Sequence, residues 1–363
     1  MGKIKIINIV GTRPNFIKMA PLQRLMEEDS IFDVTLVHTG QHYDDSMSEV
    51  FFKGLKISPP IVNLGVGSGT HGYQIAEIIK RLEPILIEKK PDLVVVVGDV
   101  NSSLAAAFIA SMLRIKIAHI EAGMRSFNRN MPEEINRVVI DQLSDFLFTT
   151  DTIADENLLR EGIKKEKIFR VGDAMIDALF QTLEDQVDLR QKKNSEKYAV
   201  LTLHRNTTVD DLSTLRSVLK AVSCISERIP VVFPIHPRTK KMISCINNFS
   251  LSNNVVVKEP MSHKEFIHLV SAAQFVMTDS GGVQKEATAL DVPCLTLRNE
   301  TEWLDTISKG TNLLVGVKKE LIVGAVNDIL SGKRKHKQDF ELWDGKASGR
   351  IIKILIEHLV DSR

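Results

Sequence analysis

Residues 93–141 read LVVVVGDVNSSLAAAFIASMLRIKIAHIEAGMRSFNRNMPEEINRVVID, and the fold is decided there. Leu93 to Val97 and Ile115 to Ile120 are short, continuously apolar and rich in β-branched residues, the pattern of strands covered on both faces. Ser103 to Leu113 between them has helical character, so the unit is strand, helix, parallel strand. Asp99 and Glu121 then stand at the carboxyl ends of parallel strands, where open α/β sheets collect ligands. A further helix opens on Pro132-Glu133-Glu134 and adds a third carboxylate position, Glu133.

The same alternation runs outward in both directions. Strand-like runs fall at Ile4 to Val10, Val34 to His38, Phe146 to Phe148 and Ile168 to Val171, with helix-like stretches at Phe16 to Met26, Tyr73 to Glu88 and Glu134 to Gln142. Glu184 to Lys197 is polar and poor in apolar residues, as expected of a connection between domains. A second series follows at Tyr198 to Leu203, Val231 to Ile235, Val255 to Val257, Phe275 to Thr278, Cys294 to Leu297 and Leu313 to Val315. The expected architecture is α/β: two Rossmann-like, doubly wound domains, residues 1–180 and 181–345, facing a cleft. A chain of 363 residues exceeds one usual core, which agrees with two domains.

Composition narrows the partners. Forty-seven Lys and Arg against forty-six Asp and Glu give a net charge of +1, so no whole-protein field favours nucleic acid or another polyanion. No run is long and apolar enough for a membrane segment, and Lys3 to Val10 is too short for a signal peptide. Cys224, Cys245 and Cys294 are odd in number and lack metal-ligand spacing, as expected of reduced, mostly buried thiols in a cytoplasmic protein.

The candidate ligand groups follow strand ends. Gly11-Thr-Arg13-Pro-Asn-Phe-Ile-Lys18 leaves a strand and enters a helix, placing Arg13 and Lys18 near a helix start that suits an anion. It lacks the G-x-G-x-x-G spacing of dinucleotide binding. In Thr278-Asp-Ser280-Gly281-Gly282-Val-Gln-Lys-Glu286 a strand ends in two glycines and a helix begins at once. Backbone amides and the Ser280 hydroxyl there suit a diphosphate, with Glu286 in reach of a nucleotide's sugar hydroxyls. His204 and His236 close two strands of the second half. Asp99, His119, Glu121 and Glu133 raise the question of a metal. His119 and Glu121 share a face only if their strand stays regular, and no paired ligands sit on one helix, so no metal is expected. Carboxylates acting as general acid and base in a low-dielectric site are the better use.

Taken in order, GTRPNFIKMAPL, HTGQHYDDSM, GDVNSSLAAA, AHIEAGMRS, MPEEINRVVID, VGDAMID, TLHR, PIHPRT, MTDSGGVQKEA and TEW resemble the non-hydrolysing UDP-N-acetylglucosamine 2-epimerases, from the first strand to about Gly316. The resemblance implies a glycosyltransferase-B-like fold with a C-terminal helix, here 346–363, packing back on the first domain. It also implies carbon-2 inversion of a UDP-sugar through elimination of UDP to a 2-acetamidoglucal and re-addition on the opposite face. No cofactor is called for, and a cytoplasmic homodimer serving cell-surface polysaccharide synthesis is implied. By matched motifs Asp99, Glu121 and Glu133 take acid and base roles and His204 lies near the leaving diphosphate. Arg13, Lys18, Arg137, His236, Ser280, Gly281, Gly282 and Glu286 hold substrate, and Phe266 packs near uracil.

The chain also departs from the family pattern. Asn15 replaces a frequent acid, His204-Arg-Asn-Thr-Thr208 replaces H-R-x-E-N, and Trp303 stands where many N-acetylglucosamine enzymes have an arginine. Gly69-Thr-His-Gly72 with Thr301-Glu-Trp303 resembles the branch acting on UDP-2,3-diacetamido-glucuronate, the alternative substrate; a hydrolysing epimerase releasing N-acetylmannosamine and UDP is the other alternative. Gln41, His42, Arg205 and His236 match parts of a region that binds a second, activating substrate molecule in some members, but the arginine expected before the Tyr73 helix is absent.

Overall fold

The computed structural model describes residues 2–40, 49–184, 197–247 and 249–360. Gln41, His42 and most of the polar Glu184 to Lys197 connection lie outside the described residues. The chain divides into two compact units, Met1–Phe180 with Glu341–Arg363, and Gln181–Phe340.

Among the described residues of the first unit, seven parallel strands build the sheet: β1 (Ile4–Val10), β2 (Phe32–His38), β3 (Val62–Asn63), β4 (Leu93–Val97), β5 (Lys116–Ala122), β6 (Phe146–Thr149) and β7 (Ile168–Arg170). Their order is β3-β2-β1-β4-β5-β6-β7, so the winding direction reverses between β1 and β4. Every side chain of β4 is fully buried, as a strand flanked by helical layers on both faces requires. Each such valine contributes about 1.5–3 kcal/mol of burial. The described residues of the second unit repeat the plan with β8 (Ala199–Thr202), β9 (Val231–Pro234), β10 (Val255–Lys258), β11 (Phe275–Thr278), β12 (Cys294–Thr296) and β13 (Asn312–Leu314), ordered β10-β9-β8-β11-β12-β13. The reversal here lies between β8 and β11. Both sheets are doubly wound α/β sheets, and their switch points fix where ligand groups gather.

The last helix, Ala347–Val360, belongs to the first unit, where Ile351, Leu355 and Leu359 enter the core with β1 and β4 side chains. Its start is held by Asp177, whose carboxylate accepts from the Ala347 and Ser348 amides at 3.0 and 2.7 Å. Burial pushes the Asp177 carboxyl above its ordinary value, against the pull of those amides. The first helix begins at Arg13 rather than Phe16, because Pro14 is tolerated in a first turn and Asn15 accepts from both the amide and the hydroxyl of Thr12. The strand β3 has only two residues, too few to leave a pattern in the sequence. One thiol expectation needs correction: Cys294 is buried, with its thiol pushed up to about 12 by burial, but Cys245 is exposed on the last turn of its helix.

Candidate functional site

In the first unit Lys18 on the helix that follows β1, Asp99 in the turn after β4 and Glu121 near the end of β5 come to the carboxyl ends of the sheet at its switch point. Glu121 is 8% exposed, and its carboxylate accepts from the Lys18 ammonium in a buried ion pair. Gly98 makes room for that pair. A Cβ there would lie 3.2 Å from Glu121 Oε2 and 3.6 Å from Lys18 Nζ, and the residue has φ +63°. Asn15 closes the turn from the other side, donating its amide to the Val97 carbonyl at 3.1 Å. A carboxylate at that position has no N–H to give, so the replaced acid is exchanged for a strap between β1 and β4.

Asp99 sits beside Arg137, whose Nε and Nη2 reach its Oδ2 at 2.9 and 2.7 Å. The same guanidinium reaches Glu134 Oε2 at 2.7 Å. Arg137, expected on substrate, is buried between these two carboxylates of its own unit, and its bonds to Asp99 orient that side chain. Glu134 is a structural acceptor for the Ser126 and Phe127 amides at 2.9 Å each. Its burial would raise the carboxyl, but the Ser126 amide, Arg137 and the Phe127 amide hold it below the ordinary value. Glu133, its neighbour in the first helical turn, is half-buried and has no hydrogen-bond or ion-pair partner among the described residues. Lys18 and Arg13 were both expected on an anion; Lys18 is found on Glu121, and Arg13 is half-buried at the helix start.

His119 and Glu121 do not converge. The register of β5 against β6 shifts between Ile120 and Ala122, and Glu121 has φ +71°, so a bulge removes Glu121 from the regular alternation. His119 instead contacts Asp141 and the Gly98 carbonyl. No group of three His, Cys, Asp or Glu side chains is arranged for a metal among the described residues.

In the second unit the switch point is organised by Asp279, which the sequence reading passed over. Its buried carboxylate accepts from the His204 amide at 3.1 Å and the Arg205 amide at 2.9 Å and faces His204 Nδ1 at 3.3 Å. Burial would raise this carboxyl, but the hydrogen bond and charge of His204 with the two amides bring it below the ordinary value. His204 is thereby fixed while its ring stays 44% exposed, and the His236 ring lies 6.5 Å away, centroid to centroid. His236 caps the helix Pro237–Ser244, accepting from the Arg238 amide at 3.2 Å. The altered Arg205-Asn206-Thr207-Thr208 segment runs into a short helix, Asn206–Val209, and Arg238 ties its Asn206 and Asp210.

Ser280 caps the helix Gly281–Ala289, and its hydroxyl has no partner among the described residues. Gly281 must be glycine here: a Cβ would lie 2.7 Å from Trp303 Nε1 and 2.9 Å from Glu302 Oε1. The Trp303 N–H is buried with no acceptor among the described residues, and the fully buried Lys285 ammonium lies 3.7 Å from the centroid of the Trp303 ring. Glu302 is flanked by Arg298 at 3.1 Å and Arg205 at 3.3 Å. Burial lowers the Arg298 pKa, with Glu302 opposing. Around one helix start there are thus a free hydroxyl, an orphan indole donor and three cations against Glu302, an environment for anionic oxygens. Glu286 is buried and faces His263 Nε2 at 2.7 Å, while Phe266 on the helix His263–Ser271 is half-buried against the apolar cluster that includes Val200 and Val270.

The site residues thus form two groups. Lys18, Glu121, Asp99 and Arg137 gather in the first unit; Ser280, Gly281 and Trp303, with His204 and His236, gather in the second. Asp141, Asp279, Glu302 and Lys285 were missed. Only Asp279 had a local signal, an acid directly after a buried strand.

Known proteins share this plan. The sequence pattern of the family described as UDP-N-acetylglucosamine 2-epimerase matches residues 24–356. The UDP-N-acetylglucosamine 2-epimerase of Methanocaldococcus jannaschii is 45% identical over 97% of this chain and 99% of its own. The UDP-2,3-diacetamido-2,3-dideoxy-D-glucuronate 2-epimerase of Pseudomonas aeruginosa is 40% identical over 97% of this chain and 99% of its own. The crystal structure of the M. jannaschii enzyme in complex with UDP-GlcNAc and UDP superposes with a TM-score of 0.89 at 43% identity, covering 98% of this chain and 100% of that one.

Proposed function

As the chain belongs to the UDP-N-acetylglucosamine 2-epimerase family and is an isomerase, we propose that it converts UDP-N-acetylglucosamine to UDP-N-acetylmannosamine by elimination and re-addition of UDP. The observation that carries the reading is the buried Glu121–Lys18 pair beside Asp99 at one switch point. A base there takes the proton from carbon 2 while the bond from carbon 1 to the diphosphate oxygen breaks and its electrons leave with UDP. UDP then returns to carbon 1, and carbon 2 is protonated on the opposite face. Electrons balance without an external carrier, so the residues need supply only proton transfer and charge stabilisation.

Asp99, Glu121 and Glu133 are assigned the proton-handling roles. Arg137 orients Asp99, and Lys18 holds the Glu121 carboxylate and opposes the anionic leaving group. His204, pinned by Asp279, is assigned to the diphosphate together with Ser280, Gly281, Gly282 and Trp303; Arg13 and His236 are assigned to substrate, Glu286 to the ribose and Phe266 to the uracil side. Gly281→Ala is expected to weaken UDP binding about tenfold or more by displacing the rigid Trp303 indole and the doubly bridged Glu302, read by titration calorimetry with UDP. Unchanged affinity would remove the Ser-Gly-Gly element from the assignment.

Trp303 over Lys285 supports a second reading, in which the sugar is the 2,3-diacetamido-glucuronate of the P. aeruginosa relative. Incubation with each UDP-sugar in heavy water, followed by NMR at carbon 2, separates the readings. Deuterium at carbon 2 with UDP attached is expected for UDP-N-acetylglucosamine. Exchange confined to the diacetamido-uronate selects the second substrate, and free N-acetylmannosamine with UDP indicates hydrolysis.

The product is an activated sugar of the kind glycosyltransferases consume, which suits cytoplasmic supply of cell-surface polysaccharide precursors. No described helix is long and apolar enough to cross a membrane. A homodimer is part of the proposal. Phe108 and Met112 on the helix Asn101–Met112, with Ile135 and Val139 on the neighbouring helix Pro132–Leu143, leave large apolar side chains exposed for a second copy.

A further inference from the structure

Asp141 stands on the helix Pro132–Leu143 and is completely buried. Its carboxylate accepts from His119 Nδ1 at 2.6 Å, from the Gly123 amide at 3.1 Å and from Arg125 Nη2 at 2.7 Å. Arg125 is backed by Glu161, bonded through Nε and Nη2 at 2.7 and 2.6 Å. His119 is 1% exposed, and its Nε2 faces the Gly98 carbonyl at 3.1 Å. Its two ring nitrogens thus face two different elements, the helix through Asp141 and the turn after β4 through Gly98. Burial would raise the Asp141 carboxyl, but the charge and hydrogen bond of His119, followed by those of Arg125, hold it below the ordinary value.

The attachment points of this network surround both carboxylates assigned to proton transfer. Gly98 directly precedes Asp99, while His119 and Gly123 stand two residues before and two after Glu121. Glu121 occupies φ +71°, a conformation that a non-glycine residue keeps only where its surroundings impose it. Bonds from Asp141 to both flanks of the bulge supply that constraint.

We infer that Asp141 and His119 are positioning residues of the reaction: Asp141 clamps both ends of the Glu121 bulge, and His119 ties the bulge to the turn carrying Asp99, fixing one carboxylate relative to the other. The inference rests on the proposed roles of Asp99 and Glu121. Neither positioning residue touches the reacting atoms.

The test compares the full chain with His119→Gln, Asp141→Asn and Glu121→Gln, using UDP-N-acetylglucosamine, or the diacetamido-uronate if the heavy-water experiment selects it. Gln at 119 can donate to one of the two acceptors only. His119→Gln and Asp141→Asn are expected to lower kcat about 100-fold with KM within about threefold, at temperatures where both variants are folded. A wild-type kcat accompanied by a lower melting temperature, or an effect on KM alone, overturns the inference. Should Asp141→Asn fail to fold, His119→Gln decides by the same criterion. Lost turnover in Glu121→Gln with intact kcat in the other two overturns the positioning role alone. Wild-type turnover in Glu121→Gln overturns the carboxylate reading and the positioning role with it.

Discussion

Glu121→Gln is expected to reduce epimerisation by about 10²–10⁴-fold, the usual range for losing a general acid or base. Glutamine fills the same space in the buried site, so the variant removes the proton-accepting oxygen with little change of shape. It leaves the Lys18 ammonium facing an amide, and stability should fall by about 1–3 kcal/mol as well. UDP affinity should change only a few-fold, because the Ser280–Gly282 element and its flanking donors are untouched. Deuterium incorporation at carbon 2 should disappear along with product. Continued exchange in the variant would show that another group takes the proton, and Glu133, which has no partner among the described residues, would be the first to test.

The largest expected loss of stability is at Gly123. This glycine has φ +78°, and a Cβ would lie 2.4 Å from the Ala154 carbonyl oxygen and 2.9 Å from its carbon. Those are backbone atoms of the helix Thr152–Arg160, which cannot swing aside as a side-chain end can. The left-handed backbone costs an alanine about 1–2 kcal/mol, and displacing the helix about 1–3 kcal/mol more. Gly123→Ala should therefore lose about 2–5 kcal/mol in urea unfolding. The same substitution disturbs the Gly123 amide on Asp141 and the Gly123 carbonyl that accepts from Asn157 at 3.0 Å, so activity should fall in whatever fraction folds. A variant as stable as the parent would mean that the helix start yields without cost.

How much of this was legible in the sequence depends on the range of the interaction. Strands such as β4 and β11 were readable because they are buried on both faces, which demands unbroken apolar runs, and because polar or glycine turns bound them. The placement of Asp99, Ser280 and His204 at strand ends was readable because parallel strands put whatever follows them on one edge of the sheet. The bulge at Glu121 was not readable: nothing in Ile-Glu-Ala-Gly reveals a positive φ, which arises from bonds to a helix some twenty residues further on. Arg137 likewise read as a substrate cation, and its pairing with Asp99 and Glu134 on either side could be seen only in the fold.

The sequence by itself determined two doubly wound α/β series, the strand ends that carry the carboxylates and the glycine-rich turn, and the family to which they belong. Local periodicity and turn chemistry suffice for those, since each is written within a few neighbouring residues. Tertiary structure alone decided which charged groups are already committed to one another: Lys18 to Glu121, Arg137 to Asp99 and Glu134, Asp279 to the His204 turn, and Asp141 to both flanks of the bulge. The physical reason is that pairing energy depends on distance through space and on burial, and neither is encoded in the separation of two residues along the chain.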